Sequence, residues 1–202
     1  MIEIKELTKS YGENTIFSNV SFSIQDGEFV VFSGKSGCGK TTMLNMIGAL
    51  EKPTSGHIIV DGKDITKNKG RIEYLSKKVG FLFQNFALIE NKTVKKNLEL
   101  IAKKNRSDIS LDEALNRVSM LSKRDSYVYT LSGGEQQRVA LARLLFKKCD
   151  IILADEPTGS LDKANAEIII DILKTINREG KTVIMVTHDE SLKTVGDSII
   201  TL

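Results

Sequence analysis

Four short runs made almost wholly of apolar residues punctuate the chain: Phe29-Val30-Val31-Phe32, Val79-Gly80-Phe81-Leu82-Phe83, Ile151-Ile152-Leu153-Ala154 and Thr182-Val183-Ile184-Met185-Val186. A strand covered on both faces has no reason to alternate, so runs of this length predict the strands of a sheet buried between layers. Residues 2–9 and Asn19-Val20-Ser21-Phe22-Ser23-Ile24 do alternate, which predicts two antiparallel strands leading through the turn Asp26-Gly27 into the first buried strand. His57-Ile58-Ile59-Val60 before Asp61-Gly62 reads as a strand entering a hairpin turn, with His57 an ordinary strand residue, and Ser198 to Leu202 as a short last strand. Helical spacing takes over elsewhere. Val94, Leu98 and Ile101, then Leu111, Ala114, Leu115 and Val118, place helices between Thr93 and Met120. Val139, Leu141, Ala142, Leu144 and Leu145 extend a helix that starts at Ser132, and Ala164, Ile168, Ile169, Ile172, Leu173 and Ile176 form the apolar face of another that ends at Gly180. The Lys/Arg-rich segment between Gly62 and Val79 receives no element.

Strands alternating with helices make an α/β fold, and 202 residues with 41% hydrophobic content suffice for one such domain. A formal charge of +3, with Lys and Arg spread along the chain, gives no basic stripe of the kind that nucleic acid requires. Lys95, Lys96, Lys103, Lys104 and Arg106 read as a solvated helix face before a face near an anionic membrane surface. Cys38 and Cys149 have no metal-ligand spacing and suit a reducing compartment. The N-terminal residues alternate charge with apolarity, and no apolar run nears the ~18 residues that span a bilayer. The expectation is a cytosolic chain whose membrane role, if it has one, comes through a partner.

Chemistry concentrates where the buried runs end. Gly34-Lys35-Ser36-Gly37-Cys38-Gly39-Lys40-Thr41-Thr42 lies between the first buried strand and the helical run Met43-Leu44-Asn45-Met46-Ile47. Glycines there let successive backbone N–H groups face an anion at the positive end of the following helix; Lys40 adds charge near β- and γ-phosphates, and the Thr41 hydroxyl suits Mg²⁺. The second run ends at Gln84, the third at the paired acids Asp155 and Glu156, the fourth at Thr187-His188-Asp189. Carboxyl ends of parallel strands form the crevice where open α/β sheets bind ligands. Gln84 there reaches Mg²⁺ or an attacking water, Asp155 suits water-mediated Mg²⁺ binding, Glu156 suits deprotonating water, and His188 can touch a γ-phosphate. Tyr11, beside Gly12, is either a surface turn residue or a platform for adenine. Ser132, Gly133 and Gly134 open a second helix N-terminus able to bind an anion, which points to a site completed on another copy of the chain.

In this order the motifs resemble those of the nucleotide-binding subunits of ABC transporters, over essentially the whole chain. Leu131 to Arg138 looks like the family signature, Gly34 to Thr42 its Walker A loop, Ile151 to Glu156 its Walker B strand, Gln84 its Q-loop, Ser160-Leu161-Asp162 its D-loop and His188 its switch histidine. The resemblance makes Tyr11 the adenine-stacking aromatic, Glu156 the catalytic base and Asp155 a Mg²⁺ partner. It implies a P-loop NTPase (RecA-like) core with an antiparallel β-subdomain, residues 1–88 and 139–202, and an inserted helical subdomain, residues 89–138. It further implies ATP and Mg²⁺ held between the Walker A loop of one copy and Ser132 and Gly134 of the other in a head-to-tail homodimer. The dimer would drive a separate transmembrane permease from the cytoplasmic face of the membrane.

Phe83-Gln84-Asn85-Phe86-Ala87-Leu88-Ile89 and Leu153-Ala154-Asp155-Glu156-Pro157-Thr158-Gly159 look most like the branch of macrolide exporters, lipoprotein-release systems and bacteriocin exporters, and the run to Asn91 is closest to its bacteriocin-export group. Export of a peptide, bacteriocin or other antimicrobial is the corresponding expectation. Lys35 and the run Tyr127-Val128-Tyr129-Thr130 depart from that pattern, and no sensing domain is expected after Leu202. A P-loop GTPase would need Asn-Lys-x-Asp, whereas Asn91-Lys92 continues as Thr93-Val94. The alternative that stays open is a soluble ABC ATPase in cofactor assembly or another non-transport role.

Overall fold

The computed structural model describes residues 1–67 and 70–202. Five strands, β3 (Phe29–Ser33), β6 (Val79–Leu82), β7 (Ile151–Asp155), β8 (Thr182–Val186) and β9 (Ser198–Thr201), form a wholly parallel sheet in the order β6-β7-β8-β3-β9. Because every strand points the same way, all their carboxyl ends share one edge. Register aligns the tips: Leu82 lies beside Ala154, Asp155 beside Val186, and Val186 beside Phe32.

The period of two along each strand divides the core in half. Val31, Leu82, Ile152, Ala154, Val183 and Met185 face one way, onto α5 (Gly133–Phe146), α6 (Lys163–Arg178) and the short helices α3 (Val94–Glu99) and α4 (Leu111–Arg117). Val30, Phe32, Val79, Ile151, Leu153, Ile184 and Val186 face the other way, onto α1 (Lys40–Ile47) and the second sheet. That sheet is antiparallel, β2-β1-β4-β5, built from β1 (Ile2–Tyr11), β2 (Asn14–Ile24), β4 (Ser55–Val60) and β5 (Lys63–Asp64). Its inward residues Ile2, Ile4, Leu7, Ile24 and Ile58 are all at most 2% exposed, which is why these strands alternate. Each fully buried side chain contributes roughly 1.5–3 kcal/mol of transfer free energy, so slipping β1 by one residue would forfeit several such terms at once.

The expected elements form, with three differences. Helix α2 (Arg71–Lys77) arises where the sequence offered only a Lys/Arg-rich segment, of which residues 68 and 69 lie outside the described ones. Its one buried side chain is Tyr74, whose hydroxyl donates 2.7 Å to the Ile47 carbonyl; a single anchor leaves no periodicity to read. The buried face of α6 is Ile169, Ile170, Leu173 and Ile176, while Ala164 and Ile168 of the expected stripe are exposed. Finally, β6 stops at Leu82, so Gln84 stands in the turn beyond the strand.

Candidate functional site

The loop from Gly34 to Gly39 joins the end of β3 to α1. Gly39 is the helix N-cap in the left-handed region, φ 95°, and no side chain caps the helix; its first turn also holds no acid. A Cβ on Gly39 would be 2.4 Å from Ile16 and strained by that φ, so only glycine fits here. The amides at the start of α1 are therefore unclaimed by side chains and carry the positive end of the helix dipole, the arrangement that binds phosphate. Lys40 is mostly buried and its Nζ donates 2.9 Å to the carbonyls of Gly34 and Lys35, with the Cys38 sulfur 3.8 Å away. These contacts fold the ammonium over the loop, within reach of any anion that the loop holds.

The loop forms one wall of a cleft of about 300 Å³ lined by Ser36, Gly37, Gly39, Lys40, Thr41 and Thr42, with Ile16 at the side and Glu156, Val186 and His188 opposite. The Thr41 hydroxyl donates 2.9 Å to Asp155 Oδ1. Burial pushes the Asp155 carboxyl above its usual range; the Thr41 hydrogen bond offsets part of this and the neighbouring Glu156 charge adds to it. Glu156 takes φ 46°, left-handed backbone in a non-glycine residue, and its N–H donates 3.0 Å to the Val186 carbonyl. That turn aims its carboxylate at His188, whose Nδ1 lies 2.8 Å from Glu156 Oε2 and whose backbone N–H donates to the same oxygen at 3.3 Å. Strain of this kind persists where the surroundings impose it, and here it lifts a carboxylate off the strand tip into the cleft. A carboxylate oriented by an imidazole across from a phosphate loop is equipped to take a proton from water.

Gly34, Cys38, Asp155, Gln84 and Tyr11 lie beside the cleft and not among its lining. The Gln84 amide nitrogen and the Glu156 Cβ each come within 3.6 Å of where a side chain on Gly159 would begin, so Gln84 approaches the acid pair from the side of Gly159. Tyr11 ends β1 with its ring half exposed; its hydroxyl donates to Glu51, which pairs with Lys9 at 2.9 Å, and the Lys9 ammonium sits 4.4 Å from the ring centroid. Glu51 and Lys9 thus fix this aromatic, and nothing in the spacing of the sequence signalled either. Cys38 packs beneath the loop, its sulfur 2.7 Å from where a Cβ on Gly34 would sit.

Ser132, Gly133 and Gly134 stand elsewhere. Ser132 caps α5 in a closed capping box: its Oγ accepts from the Glu135 N–H at 3.3 Å, and the Glu135 carboxylate accepts from the Ser132 N–H at 2.9 Å. The hydroxyl proton of Ser132 remains free to donate. Gly134 faces the Asn165 carboxamide so closely that a Cβ would be 2.6 Å from Asn165 Oδ1. That oxygen accepts from Arg138 at 2.7 Å while the Asn165 amide donates to Asp162 at 2.7 Å, a link from α5 to the turn before α6 that the sequence did not reveal. None of the three signature residues lines the cleft of their own chain.

Comparison with known proteins gives the family and the fold. The family model described as ABC transporter matches residues 17–159. The chain is 41% identical, over 99% of its length, to the macrolide export ATP-binding/permease protein MacB of Campylobacter jejuni, of which it spans only 32%. It is 44% identical over its whole length to the ABC transporter ATP-binding protein MJ0796 of Methanocaldococcus jannaschii, covering 93% of that protein. A dimeric, post-hydrolysis structure of MJ0796 bound to ADP and Pi superposes with a TM-score of 0.86 at 38% identity, covering 100% of this chain and 94% of that one. The cell division ATP-binding protein FtsE of Escherichia coli is 40% identical over 95% of this chain and 90% of its own length.

Proposed function

From the premise that the chain belongs to the ABC transporter family and hydrolyses ATP, we propose that it works as a head-to-tail homodimer, each ATP held between the Gly34–Thr42 loop of one copy and Ser132, Gly133 and Gly134 of the other. The observation that carries this is the single cleft in which an uncapped helix N-terminus and Lys40 face the Glu156–His188 pair, while the signature residues lie off it. In this reading the loop amides, Ser36 to Gly39 with Thr42, bind the phosphates, Lys40 neutralises them, and Tyr11 stacks on adenine. Glu156 is the general base, His188 orients Glu156 and touches the γ-phosphate, and Gln84 positions the attacking water.

The residues present fit Mg²⁺. Thr41 Oγ1 and Asp155 Oδ1 meet at 2.9 Å, and among the described residues no group of three or more His, Cys, Asp or Glu surrounds a metal position. Mg²⁺ keeps several waters and takes phosphate oxygens as ligands, so two protein oxygens, with Gln84 from the side, are an ordinary protein share. When bound, the ion neutralises charge on the β- and γ-phosphates. Glu156→Gln should leave ATP binding intact, slow hydrolysis by roughly 10²–10⁴-fold, and convert monomer to dimer on adding ATP. Hydrolysis at the native rate would remove Glu156 from the role.

The dimer drives a separate permease from the inner face of the membrane and takes no part in binding nucleic acid; residues 89–138 form the helical subdomain between the two parts of the core. No helix among the described residues is long and apolar enough to cross a membrane itself. Export of a peptide, bacteriocin or other antimicrobial is supported by the printed function of the macrolide-export relative. FtsE, at nearly the same identity, carries a cell-division name and supports the second reading, a soluble ABC ATPase in a non-transport role. Affinity purification from detergent-solubilised membranes separates them: an exporter subunit brings a polytopic protein with it, and a soluble ATPase does not.

A further inference from the structure

The turn after Gln84 is strained in an unusual way. Phe86 and Ala87 are consecutive non-glycine residues with φ of 61° and 48°, and the Ala87 N–H donates 2.6 Å to the Asn85 carbonyl, closing a three-residue γ-turn around Phe86. Positive φ makes this the disfavoured form of that turn, and each of the two residues carries the left-handed penalty of an L side chain. A chain does not rest there unless something holds it. The holder is Arg143 on the last turn of α5, a half-buried residue whose guanidinium donates from one nitrogen to the Ala87 carbonyl and from another to the Phe86 carbonyl at 3.0 Å. Burial lowers the pKa of Arg143 and, among the described residues, no carboxylate pairs with it, so the two carbonyls are what this cation has there in exchange for water. The other end of α5 also touches this turn, since the Phe86 ring comes within 3.8 Å of where a side chain on Gly133 would begin.

We infer that Arg143 is a positioning residue: its fork holds the Phe86–Ala87 turn in its left-handed form, and thereby keeps Gln84 beside Gly159 and Glu156 and ties that loop to the helix that begins with Ser132. The inference rests on the role proposed above for Gln84. A planar fork is needed because two adjacent carbonyls must be gripped at once, which a lysine ammonium does with less definition.

The test is a rescue. Arg143→Met should lower kcat for ATP about tenfold, the scale of lost hydrogen bonds to a charged group, with KM within about twofold because the Gly34–Thr42 loop is untouched. Amide exchange in the segment spanning Phe86 and Ala87 should quicken in the same variant. Glycine adopts left-handed backbone without penalty, so adding Ala87→Gly should return most of the lost kcat and slow exchange again. If Arg143→Met does not fold, Arg143→Lys with and without Ala87→Gly runs the same cycle. Unchanged exchange at the turn, or a double variant as slow as Arg143→Met while Ala87→Gly alone is active, overturns the inference. Gln84→Ala is run in parallel: hydrolysis at the native rate would overturn the role of Gln84, while the exchange result decides separately whether Arg143 holds the turn.

Discussion

Two helices begin on glycine-rich loops here, and their N-termini are finished in opposite ways. Helix α1 starts at left-handed Gly39 with no side-chain cap and no acid in its first turn; α5 starts at Ser132 with both halves of a capping box made and Glu135 inside the turn. An N-terminus left open beside a cationic side chain is costly in an empty protein and useful only with an anion in place. One already satisfied by its own serine and glutamate is stable alone and has just a hydroxyl proton and the amide of exposed Gly133 to offer, Gly134 being buried. The first is a complete phosphate cradle within one chain, whereas the second serves as an accessory surface to a nucleotide held elsewhere.

The largest effect should come from the open end. Lys40→Ala removes the buried cation folded over the cradle, and ATP binding measured by calorimetry should weaken about 10- to 100-fold, as expected for lost charge-assisted hydrogen bonds. Lys40 is buried and its hydrogen bonds to the Gly34 and Lys35 carbonyls are lost with it, so the melting temperature should fall as well, and binding is compared at a temperature where the variant stays folded. Gly134→Ala comes next. Its Cβ would lie 2.6 Å from Asn165, an overpacking of about 1–3 kcal/mol, so stability and hydrolysis should both fall while ATP binding to the lone chain stays native. Equal loss of binding in the two variants would erase the contrast between the helices.

Ser132→Ala should be milder still, losing about 1 kcal/mol of cap with no change in ATP binding by the monomer. The smallest effect concerns pH. Helix α6 is capped by Asp162, whose carboxylate accepts from the Asn165 backbone and side-chain amides, and these hold its pKa below the usual range. A depressed folded-state pKa means that the cap contributes fully above the unfolded value of about 3.9 and is lost as pH falls through the lower folded value. Amide exchange at the start of α6 should therefore quicken as pH falls through that range, and Asp162→Asn should abolish this dependence on pH.

Legibility in the sequence followed how each feature is held. Strands buried on both faces announced themselves as apolar runs, and because the sheet is parallel their ends marked Gln84, the Asp155–Glu156 pair and His188 together. Ser132 as the start of α5 was equally open to reading. Helix α2 was hidden because it rests on Tyr74 alone, and the face of α6 was misjudged because Ile168 looks apolar yet stays exposed, with Ile170 taking its place in the core. The Arg143 grip on Phe86 and Ala87, the Glu51 hold on Tyr11 and the Asn165 bridge join residues 27 to 57 positions apart. No local pattern predicts such pairings, since they depend on how finished elements pack.

The claim that the two N-termini meet across a dimer is tested most directly by mixing subunits. Ser132→Arg chains keep the open cradle of α1 and lose the signature end; Lys40→Ala chains keep the signature and lose the cradle. Each should be nearly inactive as a homodimer. In a symmetric dimer a one-to-one mixture places one intact site in half of the dimers, so activity should return to about a quarter of native. Differently tagged chains, recovered together in the presence of ATP, establish that mixed dimers have formed. Activity no higher than that of either variant alone, with mixed dimers in hand, would contradict a site completed by the second copy.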